Sequence, residues 1–140
     1  MAQASRIGMA LTVRRRFTIA EVNNGDTIVA AVPGMKHRLI NAKMTAVGGA
    51  VGTVTTIDIL GTQSAASAKL ATFAQAQLTQ NTLLGLTSTG ATVLAAGASF
   101  VQNDVNTAIT IGKTGGAVDT ATHIDVVVTY ATEEFASEAA

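Results

Sequence analysis

Apolar and polar residues alternate along the first part of the chain. The odd positions from Ile7 to Ile19 are apolar except for Arg15, and the even positions are small, polar or basic. A period of two places successive side chains on opposite faces of a β-strand. The pattern therefore predicts one long strand, or two strands in line, with Arg15 interrupting the apolar face.

Similar short runs follow, separated by turn signals at Asn23–Asp26, Pro33–Gly34 and "GGAVG". The Ala-rich stretch "SAASAKLATFAQAQL" fits both helical and alternating spacing, and we interpret it as a loop, with room for a helical turn, that leads into a strand. About eight short strands without a convincing amphipathic helix predict an all-β fold, an antiparallel β-sandwich that is jelly-roll-like. The later runs predicted as strands are TIVAAV, HRLINAKMTAV, VTTIDIL, NTLLGLTS, TVLAA, TAITI and THIDVVVTYA.

The length of 140 residues is sufficient for one domain with a single core. We predict a flexible N-terminal arm over residues 1–6 and a single sandwich domain over residues 7–132. An acidic C-terminal tail is predicted over residues 133–140, where three glutamates fall.

Charged residues make up only 13% of the chain, and cysteine is absent, which excludes disulfides and thiolate chemistry. Up to Lys43 there are seven basic and two acidic residues, and after it two basic and seven acidic ones. This asymmetry fits complementary contacts between copies or with an acidic partner. The low charge, together with strands that are apolar on both faces, predicts a homo-oligomer or a subunit of a larger assembly. The uncharged reach from Leu70 to Asn103 is too rich in polar residues for a membrane span.

Gly112, Lys113 and Thr114 match the end of a nucleotide-binding P-loop, which is G-x-x-x-x-G-K-[ST] between a strand and a helix. The first glycine of that motif is replaced by Thr107, and two further glycines follow where the helix should begin. We therefore expect no nucleotide binding, and we interpret "GKTGGAVDTAT" as a loop between two strands.

Few residues could carry chemistry. His123 and Asp125 share one face of a predicted strand, so they form either a metal or acid–base pair or, as we favour, a solvated or interface pair. Asp58 lies within an apolar strand, where it could be a buried acid with a shifted pKa, an outward residue at an interface, or the partner of Arg15 in an ion pair. We favour a structural role for it.

Three consecutive arginines are the strongest charged feature, and on a strand they divide two to one between the faces. Without flanking aromatic residues they indicate a protein contact rather than nucleic acid binding. We expect no catalytic, cofactor-binding or metal-binding residues and no small-molecule substrate. The candidates for contact with a partner protein or another subunit are Arg6, Arg14, Arg15, Arg16, Asp58, His123 and Asp125.

Three segments together resemble the small virion structural proteins of tailed bacteriophages, most closely the head decoration or cement proteins. They are "FTIAEVNNGDTIVAAVPGMKHRLINAKMTAVGG", "VTTIDILGTQSAAS" and "NTAITIGKTGGAVDTATHIDVVVTYA", and the resemblance covers about residues 17–131. It implies a β-sandwich, often trimeric, that binds the major capsid protein on the outer surface of the shell and has no catalytic residues.

Two other classes of function remain open. One is a different virion component, such as a tail or connector subunit or a receptor- or glycan-binding fibre module. The other is a small β-sandwich enzyme, which would need a cluster of histidine and acidic residues that the sequence does not reveal.

Overall fold

A computed structural model describes residues 10–134, with the side chain of Glu134 left out, as nine β-strands and one α-helix. All strand pairs are antiparallel. The elements are β1 (Ala10–Thr18), α1 (Ile19–Asn24), β2 (Asp26–Val29), β3 (Met35–Val47), β4 (Gly52–Gln63), β5 (Ala66–Ala74), β6 (Leu83–Gly85), β7 (Ala91–Val93), β8 (Ile109–Val118) and β9 (His123–Glu134).

The strands form two sheets. The four-stranded sheet has the order β1-β9-β3-β6, and the five-stranded sheet has the order β2-β8-β4-β5-β7. Strands distant in sequence are therefore neighbours, and the chain winds between the two sheets as in a jelly roll. The predicted all-β, jelly-roll-like sandwich is confirmed.

The core lies between the sheets and follows from the alternation along each strand. In β9, Ile124, Val126 and Val128 are each at most 1% exposed, while the residues between them are partly exposed. Phe17 of β1 and Phe73 of β5 supply the largest apolar side chains of this core. Only half of the alternating positions are needed for the core, so the other half form two outer sheet faces.

The first strand ends earlier than the alternation predicts. Ile19–Asn24 form a helix, and the Thr18 hydroxyl accepts a hydrogen bond from the Glu21 amide at 3.2 Å while the Glu21 carboxylate accepts from the Thr18 amide at 2.8 Å. This capping box satisfies two amides that the first helical turn leaves unpaired. The prediction of a strand through Ile19 is therefore wrong.

Two predicted loops belong to strands. The Ala-rich stretch contains β5, which pairs with β4 and β7. The "GKTGG" segment continues β8 to Val118 along β4, with register shifts between Gly52 and Val54 and between Val54 and Thr56. Gly115 has φ +90°, and a Cβ there would lie 2.8 Å from the Thr55 amide nitrogen, so glycine lets the bulged strand approach β4.

The C-terminal boundary also differs from the prediction. β9 includes Glu133 and Glu134, which stay in register with Lys36 and Met35 of β3, and Glu133 also forms an ion pair with Arg38 at 2.8 Å. Residues 1–9 and 135–140 lie outside the described residues. The predicted arm, Arg6 and the rest of the predicted tail fall there.

Candidate interaction surface

The outer face of the four-stranded sheet carries most of the charged residues that the sequence indicates. Arg14 on β1 and Lys43 on β3 both pair in register with Val127 on β9, so the two exposed cations flank a half-buried valine. Neighbouring strands lie ~4.8 Å apart, which places the two backbones roughly 10 Å from each other. We call the patch formed by Arg14, Arg16, Lys43, His123, Asp125 and Val127 the basic face.

Arg16 and Asp125 form the most ordered contact of the basic face. Arg16 Nε donates to Asp125 Oδ1 at 2.7 Å, and Nη2 donates to Oδ2 at 2.9 Å. This fork lowers the pKa of Asp125, with smaller contributions from the charges of His123 and Arg14, and it raises the pKa of Arg16. His123 and Asp125 do share a face, as predicted, but the carboxylate is held by Arg16.

Arg15 points to the other side of β1, so the three arginines divide two to one as expected. Its guanidinium carbon lies 5.2 Å from the centroid of the Phe17 ring, and Nη1 donates to the Ile28 carbonyl oxygen at 3.4 Å. The side chain therefore bridges from β1 in one sheet to β2 in the other. A cation over an aromatic ring adds a favourable electrostatic contact at this edge.

Asp58 does not pair with Arg15, and that prediction is wrong. Asp58 lies on the outer face of the five-stranded sheet, is 1% exposed, and accepts hydrogen bonds from the hydroxyls of Thr56 and Thr114, each at 2.6 Å. Lys69 Nζ lies 3.9 Å from its second oxygen and donates to Thr114 Oγ1 at 2.7 Å. The physical reason is topological, since β1 and β4 belong to different sheets.

A second charged cluster was missed at the other end of the four-stranded sheet. Glu133 is 7% exposed and accepts from Arg38 Nη2 at 2.8 Å and from Gln102 Nε2 at 2.5 Å. Hydrogen bonding to Arg38 lowers the pKa of Glu133, despite the opposing effect of burial. The register of β3 against β9 creates this contact, and no local sequence signal could reveal it.

Lys43 was also missed as a candidate, although the alternation of β3 between buried Ala42 and Met44 does place it outward. Leu83 on β6 extends the same outer face, because it pairs with Thr45 beside Asp125, and it is 60% exposed. The four-stranded sheet thus presents cations on β1 and β3 and an apolar side chain on its β6 edge.

Lys113 does not belong to a phosphate-binding loop. It lies within β8, its ammonium donates to the Gly115 carbonyl oxygen at 3.1 Å, and the chain continues as a strand rather than a helix. Within residues 10–134, no group of three or more histidine, aspartate or glutamate side chains is placed to hold a metal ion. Over the same residues, no helix is long and apolar enough to cross a membrane.

No protein-family model and no curated protein matches the sequence. A solved structure to which the chain is similar is the nucleoplasmin-like N-terminal domain of Drosophila FKBP39, at 8% sequence identity and a TM-score of 0.34. The match covers 96% of this chain and 97% of that chain. With so low a TM-score, the likeness does not bear on function.

Proposed function

We propose that the protein is a structural virion protein of a tailed bacteriophage that binds the outer surface of the capsid as a homo-oligomer, a trimer, and stabilises the shell. Two features support this proposal. One is the resemblance of residues 17–131 to head decoration proteins, and the other is the basic face. On this proposal the partners are other copies of the chain and the major capsid protein, and the site of action is the outside of the virion.

The single observation that carries the proposal is the composition of the basic face. Three of the nine lysine and arginine residues of the chain, Arg14, Arg16 and Lys43, lie on one outer sheet face, with Val127 between two of them and Leu83 nearby. An outer sheet face with separated cations and apolar side chains between them suits an acidic, partly apolar protein surface. Many copies on one shell would multiply a modest affinity per site.

Binding to capsids that lack the protein tests the proposal. The double variant Arg14→Glu with Lys43→Glu should bind such capsids at least tenfold more weakly than the unchanged protein, because it reverses two charges of the face. The matched control is Lys113→Glu, which reverses a charge on the other sheet and should bind normally. Binding of the unchanged protein should also weaken with added salt.

Three results would contradict the proposal or redirect it. Undiminished binding by the double variant would show that the basic face is not the contact. Binding to purified tails instead of heads would favour another virion component. Light scattering on the free protein at micromolar concentration should show a trimer, and a monomer of 14.2 kDa would refute the oligomer.

The predicted arm can be tested in the same assay. A chain lacking residues 1–6 should still fold and oligomerise, since these residues precede the described sandwich. If the arm contributes to capsid binding through Arg6, the shortened protein should bind capsids more weakly. Equal binding by the two chains would show that the arm is not an anchor.

A further inference from the structure

We propose that the outer edge of β1 binds an extended acidic segment of another protein, which pairs with β1 and adds a strand to the four-stranded sheet. This site uses the backbone of β1, whereas the basic face uses side chains on the sheet surface. It does not depend on the proposed capsid function, and it specifies the chemistry of a partner segment.

The edge of β1 is open within the part of the chain that the structure describes. β1 has nine residues and pairs only with β9 there. Among the described residues, no backbone hydrogen bond outside the β1–β9 ladder involves residues 10–17. In an antiparallel edge strand about half of the amides and carbonyls point away from the sheet, and they can pair with an incoming strand.

A second copy of the same edge is a poor occupant. If two β1 strands pair antiparallel about their middle residue, Arg14 lies opposite Arg14, with Arg15 and Arg16 of each copy close by. Like charges directly opposite each other destabilise a strand pair. The ladder of β1 with β9 has no bulge, so the charge of β1 rather than its shape disfavours pairing with a second copy. An acidic strand would meet no such repulsion.

The side chains along β1 indicate what the added strand should carry. Arg14 has no hydrogen bond to a described residue, and Arg16 uses Nε and Nη2 for Asp125, which leaves more than half of its five N–H donors unused. On the other side of the strand, Leu11 is 47% exposed next to partly buried Val13. A strand with carboxylates at alternate positions and apolar residues between them fits both sides.

Strand addition also explains why a peptide fits better than a nucleic acid. A phosphate backbone could contact the arginines and accept from outward amides of β1, but a phosphodiester has no donor for the outward carbonyl oxygens and could not cover Leu11. Strand addition draws its affinity from main-chain hydrogen bonds and its specificity from alternate side chains. The edge of β1 offers both.

A labelled eight-residue peptide that alternates glutamate with valine and threonine tests the proposal on the full-length protein without any capsid. Fluorescence anisotropy should show saturable binding, about tenfold weaker for the matched peptide with glutamine in place of glutamate. Arg14→Gln should weaken binding of the glutamate peptide about tenfold. Lys113→Gln, which removes a charge from the other sheet, should leave binding unchanged. Amide hydrogen exchange should slow at alternate residues of β1 when the glutamate peptide is bound.

Several outcomes would overturn the proposal. Equal binding of the glutamate and glutamine peptides would remove the role of charge, and binding without slower exchange in β1 would place the peptide elsewhere. No binding at millimolar peptide would refute the site. Stronger, Arg14-dependent binding of a single-stranded oligothymidylate, again without slower exchange in β1, would make the arginines a phosphate contact instead. Because capsid binding is measured separately, failure here leaves the proposed function standing, and the reverse also holds.

Discussion

Replacing Asp58 with alanine should lower the free energy of unfolding by about 2–3 kcal/mol. The carboxylate accepts two hydroxyl hydrogen bonds at 2.6 Å, and bonds to a charged group contribute about 1.5–3 kcal/mol each. Part of this gain is offset, because the buried carboxylate has lost its hydration. Lys69 adds little, about 0–1 kcal/mol, since its side chain is 51% exposed.

Urea unfolding followed by circular dichroism, at one fixed protein concentration, measures this loss. The melting temperature of the Asp58→Ala variant should lie roughly 6–12 °C below that of the unchanged protein. Thr114→Val should cost about 1.5–3 kcal/mol, because it removes one of the two bonds to the carboxylate. The double variant with Asp58→Ala should cost less than the sum of the singles, because both remove the same hydrogen bond. Asp58→Ala and Arg15→Ala should be additive. A loss below about 0.5 kcal/mol, or coupling to Arg15 instead of Thr114, would refute the reasoning.

Three further predictions follow from other contacts. Because Arg38 holds the pKa of Glu133 below its ordinary value of about 4.3, this stabilisation is present above that value and is lost as the pH falls through the lowered pKa. Glu133→Gln should therefore lower the unfolding free energy at pH 7 and flatten its decrease on acidification, and an unchanged pH profile would contradict this. Gly115→Ala should destabilise the fold more than Gly34→Ala. Both glycines have positive φ, but only at Gly115 would the added Cβ meet neighbouring atoms, since it has none within 4 Å at Gly34. Equal losses of unfolding free energy in urea would rule out the close approach to β4. Calorimetric titration with ATP or GTP and Mg²⁺ should show no binding at Lys113, and a micromolar dissociation constant would refute that expectation.

The sandwich could be predicted from the sequence because period-two alternation persists wherever one strand face is buried. The same rule failed at Ile19, where the alternation simply ran on into α1. A local signal was present there, since Thr18 and Glu21 have the spacing of a capping box. The helix could therefore have been found by weighing end signals against periodicity.

Other features depend on register and could not be found locally. Glycines in "GKTGG" normally indicate a loop, but here they allow a bulged strand to approach β4 closely. One of the two hydroxyl partners of Asp58 is Thr114, which lies 56 positions away and becomes a neighbour only through the pairing of β4 with β8. Alternation correctly placed Arg14 and Arg16 together on one face of their strand and Asp125 on one face of another. It did not show that these two strands are neighbours, so that the three side chains lie on the same face of one sheet.

The position of β9 constrains how the chain can fold during synthesis. β9 is the last described strand in sequence, yet it lies between β1 and β3, with Ala10 paired to Ala131. Until β9 has emerged from the ribosome, β1 lacks the one strand with which it pairs among residues 10–134, and both β1 and β3 expose unpaired backbone. Pairing over such sequence separations is slow, because the loop must close before the contacts form. Folding of this sheet is therefore a late event, and the nascent chain is exposed to aggregation until β9 has been synthesised.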